Sequence, residues 1–241
     1  MSTIIEAKNI GIHFTMTKPS RSIKSTLKNI LKPEEKSLFW ALRNVSFNVN
    51  KGEILGVVGA NGSGKSTLLR LISGIYDPDE GELTVNGRPS ALLSLGTGFR
   101  PELSGYENMI LNGIMLGFSE EEILAKKEEI LDFSELHKFI HQPIRGYSAG
   151  MRARLGFSIA AFLHREIMLI DEILGVGDKE FKAKSEAKMK ELIEDHSKTV
   201  IIVNHDLDAI KQYATKVLWI HKSKFMMLDE TDKVLEEYAK S

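Results

Sequence analysis

Lys65 and Ser66 close the run Gly59-Ala60-Asn61-Gly62-Ser63-Gly64-Lys65-Ser66-Thr67, which satisfies G-x-x-x-x-G-K-[ST] at every fixed position. The chemistry this spacing serves is the holding of a polyphosphate. Glycines let the backbone wrap closely, so that several N–H groups point inward as anion donors. The Lys65 ammonium reaches the β and γ oxygens, and the Ser66 hydroxyl is placed as a ligand for Mg²⁺.

Two flanking elements must position this loop. Ile54-Leu55-Gly56-Val57-Val58 is an apolar run of strand length. Leu68-Leu69-Arg70-Leu71-Ile72 continues as a helix, whose N-terminal partial positive charge faces the same phosphates. With 241 residues the chain can bury a large core, which predicts one α/β domain carrying an inserted lobe. The net charge of -1 gives no global argument for a nucleic-acid partner, and none is expected. Zero cysteines exclude a disulfide framework and thiolate metal sites. Met1 to Phe14 lacks a basic region followed by a long apolar core, so no signal peptide is visible. Leu155 to Leu163 and Val200 to Val203 are too short to span a bilayer, so any membrane role is peripheral.

Along the chain, Ile4 to Ile10 with Ile12 to Phe14 reads as a first strand, and Trp40 to Val49 alternates like a second. Two strands ahead of the loop predict a small antiparallel layer over the site. Between them, residues 18–36 form a lysine-rich insertion bounded by prolines. Ile23, Leu27, Ile30 and Leu31 stand at helical spacing there, which suits either a short amphipathic helix at a membrane or partner, or a solvated surface insertion. Glu82 to Gly87 and Ala91 to Leu95 read as strands, and the pattern turns helical from Gly105 to about Leu163. The expected domain plan is a core of residues 1–95 and 164–241 with a helical lobe at 96–163.

The core resumes at Ile167-Met168-Leu169-Ile170-Asp171-Glu172, a strand ending in two acids. Ligands of open α/β sheets bind beyond the carboxyl ends of strands, which is where these acids fall. Asp171 is expected to hold Mg²⁺ and Glu172 to polarise the attacking water. His205, just past the strand Thr199 to Val203, is placed to contact a γ-phosphate. Tyr147-Ser148-Ala149-Gly150-Met151 precedes a second helix, Arg152 to Phe157, and is a second anion-binding helix start. His137 and His141 stand at helical spacing without a third ligand and read as surface residues.

Taken together, these motifs resemble the nucleotide-binding subunit of an ABC transporter over essentially the whole chain. Tyr147 to Met151 resembles that family's signature Leu-Ser-Gly-Gly-Gln, with Ser148 and Gly150 kept. The resemblance implies ATP and Mg²⁺ as cofactors and a homodimer in which Tyr147, Ser148, Ala149 and Gly150 of one copy close over the nucleotide of the other. Asp178 falls where the family has an aspartate at the dimer seam. The resemblance also implies that an aromatic ring stacks on adenine, with Phe14 at the family position and Trp40 as its rival. The family's usual glutamine at the lobe entrance has no counterpart near Leu95-Gly96.

Residues 91–105, with Phe39-Trp40-Ala41-Leu42, are similar to exporters of lipid-linked polysaccharides, including teichoic acid, O-antigen and capsule. Members that recognise a sugar cap carry a further C-terminal domain; with Ser241 as its last residue, the sequence looks like the short type. The implied function is an ATPase on the cytoplasmic face of the membrane, driving a separate integral membrane subunit. Two alternatives reuse the same loop: an ABC-type ATPase with a soluble role, and a phosphate-loop kinase, which would leave the second helix start unexplained.

Overall fold

The computed structural model describes residues 2–16, 37–92, 98–171 and 178–241. The insertion at 18–36, the Leu95-Gly96 position and Glu172 lie outside the described residues.

Four parallel pairings build the centre of the molecule. Strand β3 (Ile54–Val58) lies between β7 (Thr199–Val203) and β8 (Lys216–His221), while β6 (Ile167–Asp171) lies between β7 and β5 (Pro89–Leu92). Every residue of β3 and of β7 is buried, as expected for strands covered on both faces. Alternation along β6 divides the core. Ile167 and Leu169 face one apolar cluster, and Met168 and Ile170 face the other.

The first cluster is closed by an antiparallel layer of β1 (Thr3–Met16), β2 (Ser37–Asn50) and β4 (Glu80–Val85), which pack over helix α1 (Lys65–Ile72). Leu68, Leu69, Leu71 and Ile72 of α1 are all buried between this layer and the parallel sheet. Both long strands exceed the sequence expectation. Their ends are held by cross-strand pairing down to Met16 with Ser37, a tertiary effect that alternation does not encode. Strand β9 (Lys224–Glu230) pairs antiparallel with β8 and meets β2 at Arg43, joining both layers into one sheet ordered β4-β1-β2-β9-β8-β3-β7-β6-β5.

The second cluster is covered by α6 (Lys179–Ile193), α7 (Leu207–Tyr213) and α8 (Thr231–Ala239), through Phe181, Met189, Ile210 and Val234. A third cluster belongs to the helices α2 (Gly105–Met115), α3 (Glu120–Ala125), α4 (Lys127–Ser134) and α5 (Ala149–Phe162), with Met109, Ile123, Ile130, Leu155 and Ile159 inside. Capping boxes at Ser104/Glu107 and Ser119/Glu122 start α2 and α3. Phe157 of α5 faces the second cluster instead, stacking with Phe133 and meeting Phe181 edge-on. This aromatic contact fixes the helical lobe against the sheet. No described helix is long and apolar enough to cross a membrane.

Candidate functional site

The loop between β3 and α1 folds around a backbone that only glycine permits. Gly64 has φ 108, and a Cβ there would lie 2.4 Å from the Ala41 carbonyl oxygen and 2.6 Å from Leu42 Cδ2. Gly64 is the N-cap residue of α1, and no side chain caps that helix or places an acid in its first turn. The start of α1 therefore keeps its positive end for an incoming anion.

Lys65 is buried, and its Nζ donates to the carbonyls of Gly59 at 2.7 Å and Ala60 at 3.1 Å. An ammonium held inside a loop by two neutral carbonyls is poised to exchange them for charged oxygens. Ser63, also buried, packs under the loop, and its Oγ has no hydrogen-bond partner among the described residues.

Across the loop, the Ser66 hydroxyl donates to Asp171 Oδ2 at 3.0 Å. Asp171 is the last residue of β6, so the parallel sheet delivers this carboxylate to the first turn of α1. A hydroxyl and a carboxylate side by side are hard oxygen donors, the set that suits Mg²⁺, which takes one or two protein ligands and fills its shell with phosphate and water. The residues present thus fit the metal implied by the motif.

These groups open onto one cavity of about 510 Å³, lined by Asn61, Gly62, Gly64, Lys65, Ser66, Thr67, Asp171 and His205, and at its other end by Phe14, Phe39 and Ala41. His205 follows β7 and is fixed by a turn in which Asn204 Oδ1 accepts from Asp206 N at 3.0 Å and Asp206 caps α7. Of the residues expected from sequence, the structure therefore brings together Phe14, the loop, Asp171 and His205.

Trp40 does not share this cavity. It packs on the opposite face of the β1–β2 ladder, against His13 at 4.9 Å and under the Arg43 guanidinium at 4.6 Å. Phe39, one residue earlier, is the aromatic side chain of β2 that reaches the site.

Tyr147, Ser148, Ala149, Gly150 and Asp178 also lie outside the cavity of their own chain. The Tyr147 side chain is buried in the helical lobe, where its hydroxyl donates to the Phe139 carbonyl at 2.7 Å and burial raises its pKa. Tyr147 thus anchors the turn from within, beneath the exposed Ser148 that starts the helix. Ser148 is the N-cap of α5 and accepts from Met151 N at 3.1 Å. Gly150 is open, since a Cβ there would meet only Ser148 Oγ at 3.7 Å.

Asp178 caps α6 by accepting from Phe181 N at 3.1 Å and pairs with Arg154 of α5, which lowers its pKa, the hydrogen bond to Arg154 being the main cause. Arg154 also bonds Glu135 at 2.7 Å, and Lys184 bonds Glu135 at 2.8 Å. Asp178 is therefore tied into a charged network between the lobe and α6. Sequence spacing does not reveal it, because Arg154 and Asp178 are far apart along the chain.

The sequence profile of the family described as ABC transporter matches residues 42–175. The chain is 38% identical over 203 residues to the O-antigen export system ATP-binding protein RfbB of Klebsiella pneumoniae, covering 84% of this chain and 82% of that protein. It is 42% identical to the teichoic acids export ATP-binding protein TagH of Lactococcus lactis, over 92% of this chain and 48% of that one. With RfbB of Myxococcus xanthus the identity is 45%, over 85% of this chain and 47% of the relative. The chain thus spans about half the length of the last two relatives.

Among solved structures, a dimeric ATP-binding cassette in a post-hydrolysis state with ADP and Pi superposes with a TM-score of 0.70 at 22% identity, over 94% of this chain and 98% of the other. A nucleotide-free cassette from an ABC transporter gives 0.66 at 21% identity, over 100% and 96%. The two share the fold. Loop, strand-end carboxylate and second helix start, together with these matches, place the chain in the ABC transporter family of ATP-binding proteins.

Proposed function

We propose that the chain is the ATP-hydrolysing subunit of an ABC exporter for a lipid-linked cell-surface polysaccharide, of the teichoic acid or O-antigen class. The observation that carries the ATPase part is the Ser66–Asp171 contact of 3.0 Å, set beside the Lys65 loop at the uncapped start of α1. The relatives, named for O-antigen and teichoic acid export, support the cargo.

In this reading Lys65 and the loop N–H groups bind the β and γ phosphates of ATP. Ser66 and Asp171 would hold Mg²⁺, which would screen charge on the phosphate oxygens. Glu172, the residue after Asp171, accepts a proton from the attacking water. His205 contacts the γ-phosphate from the end of β7. Phe14 stacks on the base. Ser148, Ala149 and Gly150 of a second copy present the start of their α5 to the same phosphate, with Tyr147 holding the turn and Asp178 at the seam. Charge developing on the transferred group then meets fixed donors on two sides. Hydrolysis removes the group both copies share and reopens the dimer, and the cycle drives an integral membrane subunit from the cytoplasmic face.

The test is Glu172→Gln with the chain purified from detergent-solubilised membranes. ATP binding is retained, hydrolysis is lost, an ATP-dependent dimer accumulates, and a multi-span membrane protein copurifies in stoichiometric amount. Normal turnover by the variant, or copurification with ribosomes in place of a membrane protein, contradicts the proposal.

A further inference from the structure

A second cavity, of about 670 Å³, lies at the other end of the parallel sheet and shares no lining residue with the nucleotide cavity. Its place is fixed by Arg165, just ahead of β6, whose N–H donates to Ser90 Oγ of β5 at 3.0 Å. The length of β6, about 13 Å, therefore stands between this cavity and Asp171. One wall comes from the helical lobe, through Phe118, Ala125 and Lys126. The other is made by Leu163, His164 and, on α6, Lys188 and Leu192. A volume of this order suits a small organic molecule.

Charge around the cavity is sorted by depth. Lys188 pairs with Glu191 at 2.7 Å, Lys198 with Asp195 at 3.5 Å and Arg165 with Glu122 at 2.7 Å. In these pairs the cationic side chains are 17%, 15% and 21% exposed, and the acidic ones 68%, 42% and 44%. Cations lie inward and acids outward. His164 registers the result, because burial first, and then the charges of Lys198, Lys188 and Lys126 against that of Asp195, lower its pKa to about 4. Its Nδ1 is buried without a hydrogen-bond partner among the described residues, and a turn of the ring presents that nitrogen to the cavity.

The cations differ in how firmly they are held. Arg165 is committed: its guanidinium lies 3.9 Å over Phe118 and donates to the Gly117 carbonyl at 3.0 Å as well as to Glu122. Lys188 is held by an exposed acid three residues along the same helix, a pair weak enough to exchange for a ligand. An unpartnered imidazole nitrogen and inward cations call for acceptor oxygens, and the walls between them call for an apolar body. The outward acids repel a surface of anionic lipid, so one small anion entering the cavity is favoured over a membrane lying across it.

We propose that this cavity is a second ligand site, binding a small soluble organic anion whose apolar body lies on Leu163 and Leu192 and whose phosphate or carboxylate oxygens sit among Lys188, Lys126 and His164. The proposal does not depend on the ATPase reading.

The experiment titrates the full chain, with the nucleotide site filled by Mg-ADP, using two fluorescent dyes: anilinonaphthalene sulfonate and its uncharged analogue phenylnaphthylamine. The anionic dye binds about tenfold more tightly than the neutral one. Lys188→Gln removes that preference, and Glu191→Gln, which frees Lys188, strengthens binding of the anionic dye about threefold. Ala125→Trp, at an exposed position on the lobe wall, blocks both dyes. All three variants keep the parent's affinity for Mg-ADP, which separates these effects from a folding defect. Phenyl phosphate displaces the anionic dye, and phosphatidylglycerol vesicles do not. Equal binding of the two dyes by the parent, or an unchanged preference in Lys188→Gln, means adhesion to apolar surface only and overturns the proposal. Loss of the dye on adding Mg-ADP places it in the nucleotide cavity, displacement by the vesicles assigns the site to a lipid headgroup, and either overturns the proposal as well. Each of these outcomes leaves the ATPase reading intact.

Discussion

Two helices of this molecule begin at turns that the sequence marks as anion-binding candidates, and they begin differently. Helix α1 starts at Gly64, with a left-handed backbone, no capping side chain and a carbonyl packed where a Cβ would stand. Helix α5 starts at Ser148, whose hydroxyl already accepts the Met151 N–H, and its Gly150 faces open space. The first start is built around its own chain's cavity. The second is a finished helix end whose glycine has no steric duty within the chain. Among the described residues nothing but Ser148 Oγ approaches a Cβ at Gly150, which leaves room for the closure proposed above.

The largest expected effect is at the first start. Gly64→Ala forces a methyl into the Ala41 carbonyl and Leu42, so the loop opens and nucleotide affinity falls on the order of 100-fold, measured by equilibrium binding. Next comes Gly150→Ala. Its folding stability stays within about 0.5 kcal/mol of the parent in urea titration. Nucleotide binding to the isolated chain is kept, while steady-state hydrolysis falls about tenfold, since the proposed closure would put the added methyl between two copies. Loss of folding stability in this variant would remove the contrast between the two starts.

Ser148→Ala has a smaller effect. Removing the cap from α5 costs about 1 kcal/mol of stability, and binding at the α1 start is untouched. The effect that is smallest near neutral pH lies beyond the far end of α5. Burial, aided by the charges of Lys198 and Lys188, lowers the His164 pKa from 6.5 to about 4. Between these values the unfolded chain binds the proton and the folded chain does not, so stability present above pH 6.5 is lost as pH falls toward 4. Replacing His164 by Gln flattens this slope in denaturation midpoints taken at several pH values, without altering ATP binding at pH 7.5.

Much of the α1 start was legible in sequence because its chemistry is contiguous. One run of residues supplies the loop, the strand before it and the helix after it, and Asp171 announces itself as the acid that ends an apolar strand. The antiparallel layer and the helical lobe were legible from alternation and from helical spacing. The aromatic end of the site was not. Phe39 and Trp40 are adjacent, and which of them faces the cavity depends on the phase of β2. Asn44, with φ 55, interrupts that phase, and the pairing with β1 shifts register between Ile12 and His13. Alternation carried across such an irregularity gives no fixed side. The place of the Tyr147 ring was not legible either: nothing local tells whether a short 3-10 turn sends a ring inward or outward, and here the lobe interior takes it. Asp178 needed a partner, Arg154, that only tertiary structure supplies.

The central claim is that the phosphate site of one copy is completed by the helix start of another, and mixing two damaged chains tests it most directly. Lys65→Ala disables the loop but keeps Ser148 and Gly150, whereas Gly150→Ala disables the second start but keeps the loop. Each variant alone should hydrolyse ATP poorly. Mixed in equal amounts, they form heterodimers with one site built from two undamaged halves, and hydrolysis should rise well above that of either variant alone. A mixture no more active than the average of the two would show that each chain works by itself.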